Sequence, residues 1–313
     1  MFDFAAKQNS RRESLYRLLG DLPHNHVPPP AKLIRTEKHD GFTLERLLLD
    51  LNGVEPVPAI LLIPDRRAAK SPGMLFVHWH GDQYDLGKEQ LLKGTVVQPA
   101  YAPVCAEIGI VTLAIDSWCF GERQHDSYGQ RGEQDTFKRA LWNGQTLWGM
   151  MLFDEIQALG YLASRPQVDA NRLCAFGISM GATKAWWLAA LDERIALTID
   201  LCCLTDYDAL IAHNNLSGHG VYYYIPGLLR EFSAAQINEL IVPRPRLSLN
   251  GRRDPLTPPE GVQKIRDHLY PLYGSRGRTD DCRIELFDCA HEETPEMRSQ
   301  VIAWLSKRLC ARP

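Results

Sequence analysis

A chain of 313 residues with 45% hydrophobic content holds enough apolar material for a large core, and one α/β domain of this length is ordinary. The net charge of −3, with both signs interspersed, offers no basic face for nucleic acid. No apolar run approaches the roughly 20 residues that cross a bilayer, so no membrane partner is expected.

The first ten residues, Met1 to Ser10, lack a basic segment followed by an apolar one, and no secretory signal is expected. Arg11 to Gly20 reads as a short amphipathic helix closed by glycine, and Asp21 to Pro30 as a Pro/His-rich linker in which His24 and His26 have no partner ligands nearby. Residues 1–40 are therefore expected to form a helical extension and linker ahead of a catalytic domain spanning 41–313. Thr43–Leu51 and Val57–Ile63 are β-rich runs separated by Asn52-Gly53, a hairpin signal. From Gly73 the pattern changes to strand, loop and helix. Met74–Val77, Ile110–Ile115, Val168–Phe176, Ile195–Cys203, Arg246–Asn250 and Arg283–Phe287 read as short apolar strands, and Gln145–Ser164, Ala182–Leu191 and Met297–Leu309 as helices. An antiparallel pair followed by repeated βα units predicts an α/β fold: a mostly parallel twisted sheet with helices on both faces. The eight cysteines show no C-x-x-C pair, and Cys174, Cys202 and Cys203 fall in apolar runs. Buried, reduced thiols and a cytoplasmic setting are the expectation.

In such a sheet, ligand chemistry gathers beyond the C-terminal strand ends. Leu173–Phe176 runs into Gly177-Ile-Ser-Met-Gly181 and then into a helix, a G-x-S-x-G turn that would hold the Ser179 hydroxyl above the strand end. Asp254 follows the Arg246–Asn250 strand and His291 follows the Arg283–Phe287 strand. Serine needs a base to become a nucleophile, neutral histidine supplies one, and a carboxylate orients the imidazole. The order Ser179…Asp254…His291 is the chain order of an α/β-hydrolase triad. Asp288 shares a loop with His291, and Asp116 is expected to brace its own loop with Glu122 and Arg123, so Asp254 is the assigned acid. The Met180 amide, at a helix N-terminus, and the Asp82 amide, in the His80-Gly81 turn, are the assigned oxyanion donors. His78-x-His80-x-Asp82 could suggest a metal cluster, but Gln83 stands where a further histidine is wanted, and no metal or organic cofactor is implied.

These residues resemble the dienelactone hydrolase/acetyl xylan esterase-like branch of the α/β-hydrolases, through His78-Trp-His-Gly81, Asp116 to Arg123, Ser164 to Arg172 leading into Gly177–Gly181, Pro243-Arg-Pro245 and Gly251-Arg-Arg-Asp254. The resemblance implies the α/β-hydrolase fold and a serine esterase acting on a small ester, since dienelactone hydrolases proper carry a cysteine nucleophile where this chain has Ser179. It also marks Leu204–Pro243 as a short lid. His80, Trp118, His219 and Tyr223 are the candidate pocket residues, although the tyrosines could equally pack the lid onto the body or onto another subunit of a homo-oligomer. A prolyl oligopeptidase-like peptidase and a non-catalytic binding member of the fold are the alternatives.

Overall fold

The computed structural model describes residues 2–23, 28–94, 99–124 and 128–310; His24 and His26 lie outside them. Its strands are β1 (Ala31–His39), β2 (Phe42–Leu49), β3 (Val57–Pro64), β4 (Ser71–Val77), β5 (Val111–Ile115), β6 (Val168–Ile178), β7 (Ile195–Leu201), β8 (Arg246–Gly251) and β9 (Cys282–Phe287). They form one sheet in the order β1-β2-β3-β5-β4-β6-β7-β8-β9. The expected hairpin is present, with Leu49 opposite Val57 and Phe42 opposite Pro64. From β5 through β9 every pairing is parallel.

The buried strands explain their own sequences. In β4 all seven residues are buried, and successive side chains enter opposite cores: Met74 and Phe76 one, Leu75 and Val77 the other. A strand covered on both faces reads as a continuous apolar run. The helices are α1 (Phe2–Arg17), α2 (Ala102–Ile108), α3 (Gly129–Trp142), α4 (Leu147–Ser164), α5 (Met180–Leu191), α6 (Tyr207–Ala212), α7 (Leu228–Glu231), α8 (Ala234–Glu239), α9 (Pro259–Gly274) and α10 (Pro295–Trp304). Residues of α1, α4, α5 and α9 fill the core on one face of the sheet, and residues of α2 and α10 the core on the other. The α5 helix is buried along its whole length, which accounts for a run of apolar and small residues interrupted only by Lys184. No helix among the described residues is long and apolar enough to cross a membrane.

Two expectations are corrected. Residues 31–39, read as linker, form edge strand β1, paired with β2 from Ala31–Leu49 to His39–Phe42. Both faces of β1 are largely exposed, so it lacks the apolar alternation that marks a strand. The N-terminal helix also begins earlier than Arg11, at Phe2, and is tied to the body where Gln8 Nε2 donates to the Glu239 and Val242 carbonyls. The segment between β7 and β8, expected as a lid, carries α6, α7 and α8.

Candidate active site

Strand β6 stops at Ile178 and α5 starts at Met180, leaving Ser179 alone in the turn at φ 57° and ψ −121°. A positive φ is costly for a residue with a Cβ and persists where surrounding structure enforces it. Here the Ser179 N–H donates to the Leu201 carbonyl of β7 at 2.9 Å. The flanking glycines are required by close approach: a Cβ on Gly177 would stand 2.1 Å from the Gly181 carbonyl oxygen, and one on Gly181 would stand 2.0 Å from that of Val77. As the first residue of α5, Met180 has an N–H with no acceptor inside the helix, at the positive end of the helix dipole.

Ser179, His291 and Asp254 form a continuous row. His291 Nε2 lies 2.8 Å from Ser179 Oγ, and His291 Nδ1 lies 2.7 Å from Asp254 Oδ2. A carboxylate accepts, so Nδ1 carries the proton and Nε2 is left to accept from the serine hydroxyl. Asp254 is 2% exposed, and its second oxygen, Oδ1, accepts the Leu256 N–H at 2.9 Å. Asp288 instead points outward to Arg253. Asp116 braces its loop, taking Lys88 Nζ at 2.7 Å and the Glu122 N–H at 3.0 Å, with Arg123 on its carbonyl at 2.9 Å.

A cavity of about 430 Å³ opens over this row, lined by His80, Glu133, Ser179, Met180, His219 and Tyr222 among others. His80 sits in its wall, stacked on Tyr222 with ring centroids 5.4 Å apart. His219 Nε2–H donates to the Leu256 carbonyl at 3.0 Å, and its ring stacks on Tyr223 at 4.7 Å. Tyr223 therefore backs the pocket rather than lining it, and Tyr222 takes the wall position. Trp118 does not reach this cavity. It lines a neighbouring space of about 680 Å³, on another side of α3, under the Arg123 guanidinium at 4.4 Å. The Asp82 amide, assigned as second oxyanion donor, donates to His80 Nδ1 at 3.1 Å within its own turn, where Gly81 and Asp82 both have positive φ. Sequence reasoning missed Glu133, which α3 delivers to the pocket wall from a stretch with no recognisable motif.

Behind the site lies a layer of buried charge. Lys184 of α5 meets Glu155 of α4 at 3.2 Å and also donates to Ser117 Oγ. His78, fully buried, donates Nδ1–H to the Trp79 carbonyl at 2.9 Å and accepts the Ser117 N–H on Nε2 at 3.1 Å. Burial, reinforced by the Lys184 charge, holds His78 well below the ordinary imidazole value of 6.5. The folded state thus keeps His78 neutral while the unfolded chain takes up a proton, so its contribution to stability is present above pH ~6.5 and lost on acidification. Urea unfolding between pH 7.5 and 5 is expected to show stability falling by up to ~1.4 kcal/mol per pH unit from this residue.

Eight free cysteines are described, seven of them buried. Cys203 lines the active-site cavity, yet burial pushes its thiol up to about 12. A protonated thiol is a poor nucleophile. Iodoacetamide at pH 8 is therefore expected to leave turnover at this site intact, as an activity assay after alkylation would measure.

A model of the Abhydrolase family matches residues 1–255. YtaP of Bacillus subtilis (strain 168), named a candidate hydrolase, is 42% identical over 301 residues, covering 96% of this chain and 99% of its own. Two solved structures share the fold: an acetyl xylan esterase from Paenibacillus sp. R4 at 18% identity and TM-score 0.64, covering 99% of this chain and 95% of its own, and a glucuronoyl esterase from Solibacter usitatus at 14% and 0.67, covering 94% and 91%.

Proposed function

The chain belongs to the Abhydrolase family, and we propose that within it the protein is a serine esterase that cleaves carboxylic esters with a small acyl group. The observation that carries this reading is the row Ser179–His291–Asp254, with contacts of 2.8 and 2.7 Å, at the N-terminus of α5. His291 Nε2 removes the hydroxyl proton as Ser179 Oγ attacks the ester carbonyl. Asp254 holds the ring and stabilises the imidazolium that forms. The Met180 N–H faces the developing oxyanion, a type of contact whose loss typically costs about 10²–10³ in kcat. His291 then returns the proton to the leaving alcohol, and water, with His291 as base, releases the acid from the acyl-enzyme.

The esterase neighbours support ester rather than amide substrates, and the unpaired thiols support a reducing, cytoplasmic setting. A fluorophosphonate probe tests the reading. It should label the protein stoichiometrically at Ser179, located by peptide mass spectrometry, and abolish p-nitrophenyl acetate hydrolysis in step with labelling. Labelling elsewhere, or full activity after labelling, would refute it.

A further inference from the structure

Glu133 is a feature of the cavity wall that ester hydrolysis itself does not require. It is 2% exposed, and Oε2 accepts from Tyr84 Oη at 3.1 Å and from His80 Nε2 at 3.4 Å. His80 Nδ1, on the other side of the ring, faces the Asp82 N–H at 3.1 Å. His80 Nε2 passes 3.3 Å from Oε1 without hydrogen-bond geometry, so Oε1 has no hydrogen-bond partner among the described residues. Among the described residues, no lysine or arginine lines the cavity. A second carboxylate, Asp82, stands on its rim with its side chain 89% exposed.

A buried carboxylate with one unused oxygen and no lysine or arginine beside it is costly unless something completes it. A purely structural staple between the His80 turn and the lid, where Gly220 lies against Oε2, could be made by glutamine without the charge. Nor is the wall an aromatic cage, because Tyr222 is stacked on one side by His80 and on the other by Trp148, at 5.4 and 5.7 Å. What the carboxylate lacks, among the described residues, is a lysine or arginine partner.

Resting on the esterase reading above, we propose that Glu133 is a specificity-determining residue and that the physiological ester carries a protonated amine, whose charge is met by the Glu133 carboxylate in the cavity wall. Neutral isosteres are turned over less efficiently, and esters bearing a carboxylate are repelled by Glu133 and Asp82.

The test compares kcat/KM at pH 7 for shape-matched pairs, with p-nitrophenyl acetate as reference. Because the amine can sit on either side of the scissile bond, two pairs are used: 2-(dimethylamino)ethyl acetate against 3-methylbutyl acetate, and ethyl 4-(dimethylamino)butanoate against ethyl 5-methylhexanoate. Monoethyl succinate serves as the anionic member. In at least one pair the cationic ester should exceed its isostere by about tenfold or more, as a charge-assisted hydrogen bond provides. The anionic ester should be the poorest substrate. Glu133→Gln should bring the favoured ratio close to one. As a measurement that needs no variant, N,N-dimethylethanolamine should inhibit p-nitrophenyl acetate hydrolysis by the wild-type protein more strongly than 3-methyl-1-butanol. Turnover of p-nitrophenyl acetate with no cationic preference in either pair would overturn the role of Glu133 and leave the esterase reading standing. No turnover of any ester would overturn both. A cationic preference that Glu133→Gln leaves unchanged would show that the charge is read elsewhere.

Discussion

Ser179→Ala should lower kcat/KM for p-nitrophenyl acetate by a factor on the order of 10⁵–10⁶, the loss that follows when an activated serine is removed. The thermal midpoint should hardly move, because alanine keeps the backbone of the turn and the Leu201 contact uses the main-chain N–H. Asp254→Asn should cost roughly 10⁴, since an amide no longer fixes the Nδ1–H tautomer of His291. The two substitutions together should be no worse than Ser179→Ala alone, because without the nucleophile the base has nothing to activate. Steady-state assays paired with unfolding curves separate this loss of chemistry from loss of fold. Full activity in Ser179→Ala would remove the proposed mechanism.

The second large effect concerns stability. Lys184→Met should destabilise the protein by about 3–5 kcal/mol, because it leaves Glu155, 1% exposed, facing the interior without its cation. Burial already lowers the Lys184 pKa and raises that of Glu155, so both charges are held against a desolvation cost that their pairing offsets. The double variant Lys184→Met/Glu155→Leu should recover most of the loss, since apolar groups of similar size can replace a buried pair at little net cost. Urea midpoints for the two single variants and the double one complete the cycle. A double variant as unstable as Lys184→Met would mean that Ser117, the other partner of Lys184, is what the lysine supports.

Legibility in the sequence followed burial. Strands β4 through β8 are covered on both faces and announce themselves as short apolar runs, so the polar residues at their ends could be counted off in order. That is how Ser179 and Asp254 were found; His291 follows β9, a half-exposed edge strand that still alternates, with Cys282 and Ile284 buried and Arg283 exposed. Strand β1 was missed because an exposed edge carries no alternation. Helix α3 was missed because it buries few residues, and one of those is Glu133, a carboxylate that no apolar period would reveal. Neighbouring aromatics were ambiguous for a different reason. Val221–Tyr223 is a tight 3-10 turn, which sends Tyr222 and Tyr223 in different directions, and sequence alone gives no means of choosing between them. Trp118 was assigned by its position in the chain, whereas the space it fills depends on where α3 lies. The Asp82 amide was assigned by motif, and its true direction is set by two consecutive residues of positive φ.

The bond from His219 to the Leu256 carbonyl ties the pocket wall to the catalytic row. Leu256 is also the residue whose N–H steadies Asp254, and nearby Asn215 Nδ2 donates to the Pro255 carbonyl. The wall of this pocket and the support of its acid are therefore one piece: residues 215–219 are bonded to the same Pro255–Leu256 backbone that steadies Asp254. A substitution made in that wall to reshape the pocket is also a change in the setting of the acid, so it should be read in kcat as well as in KM.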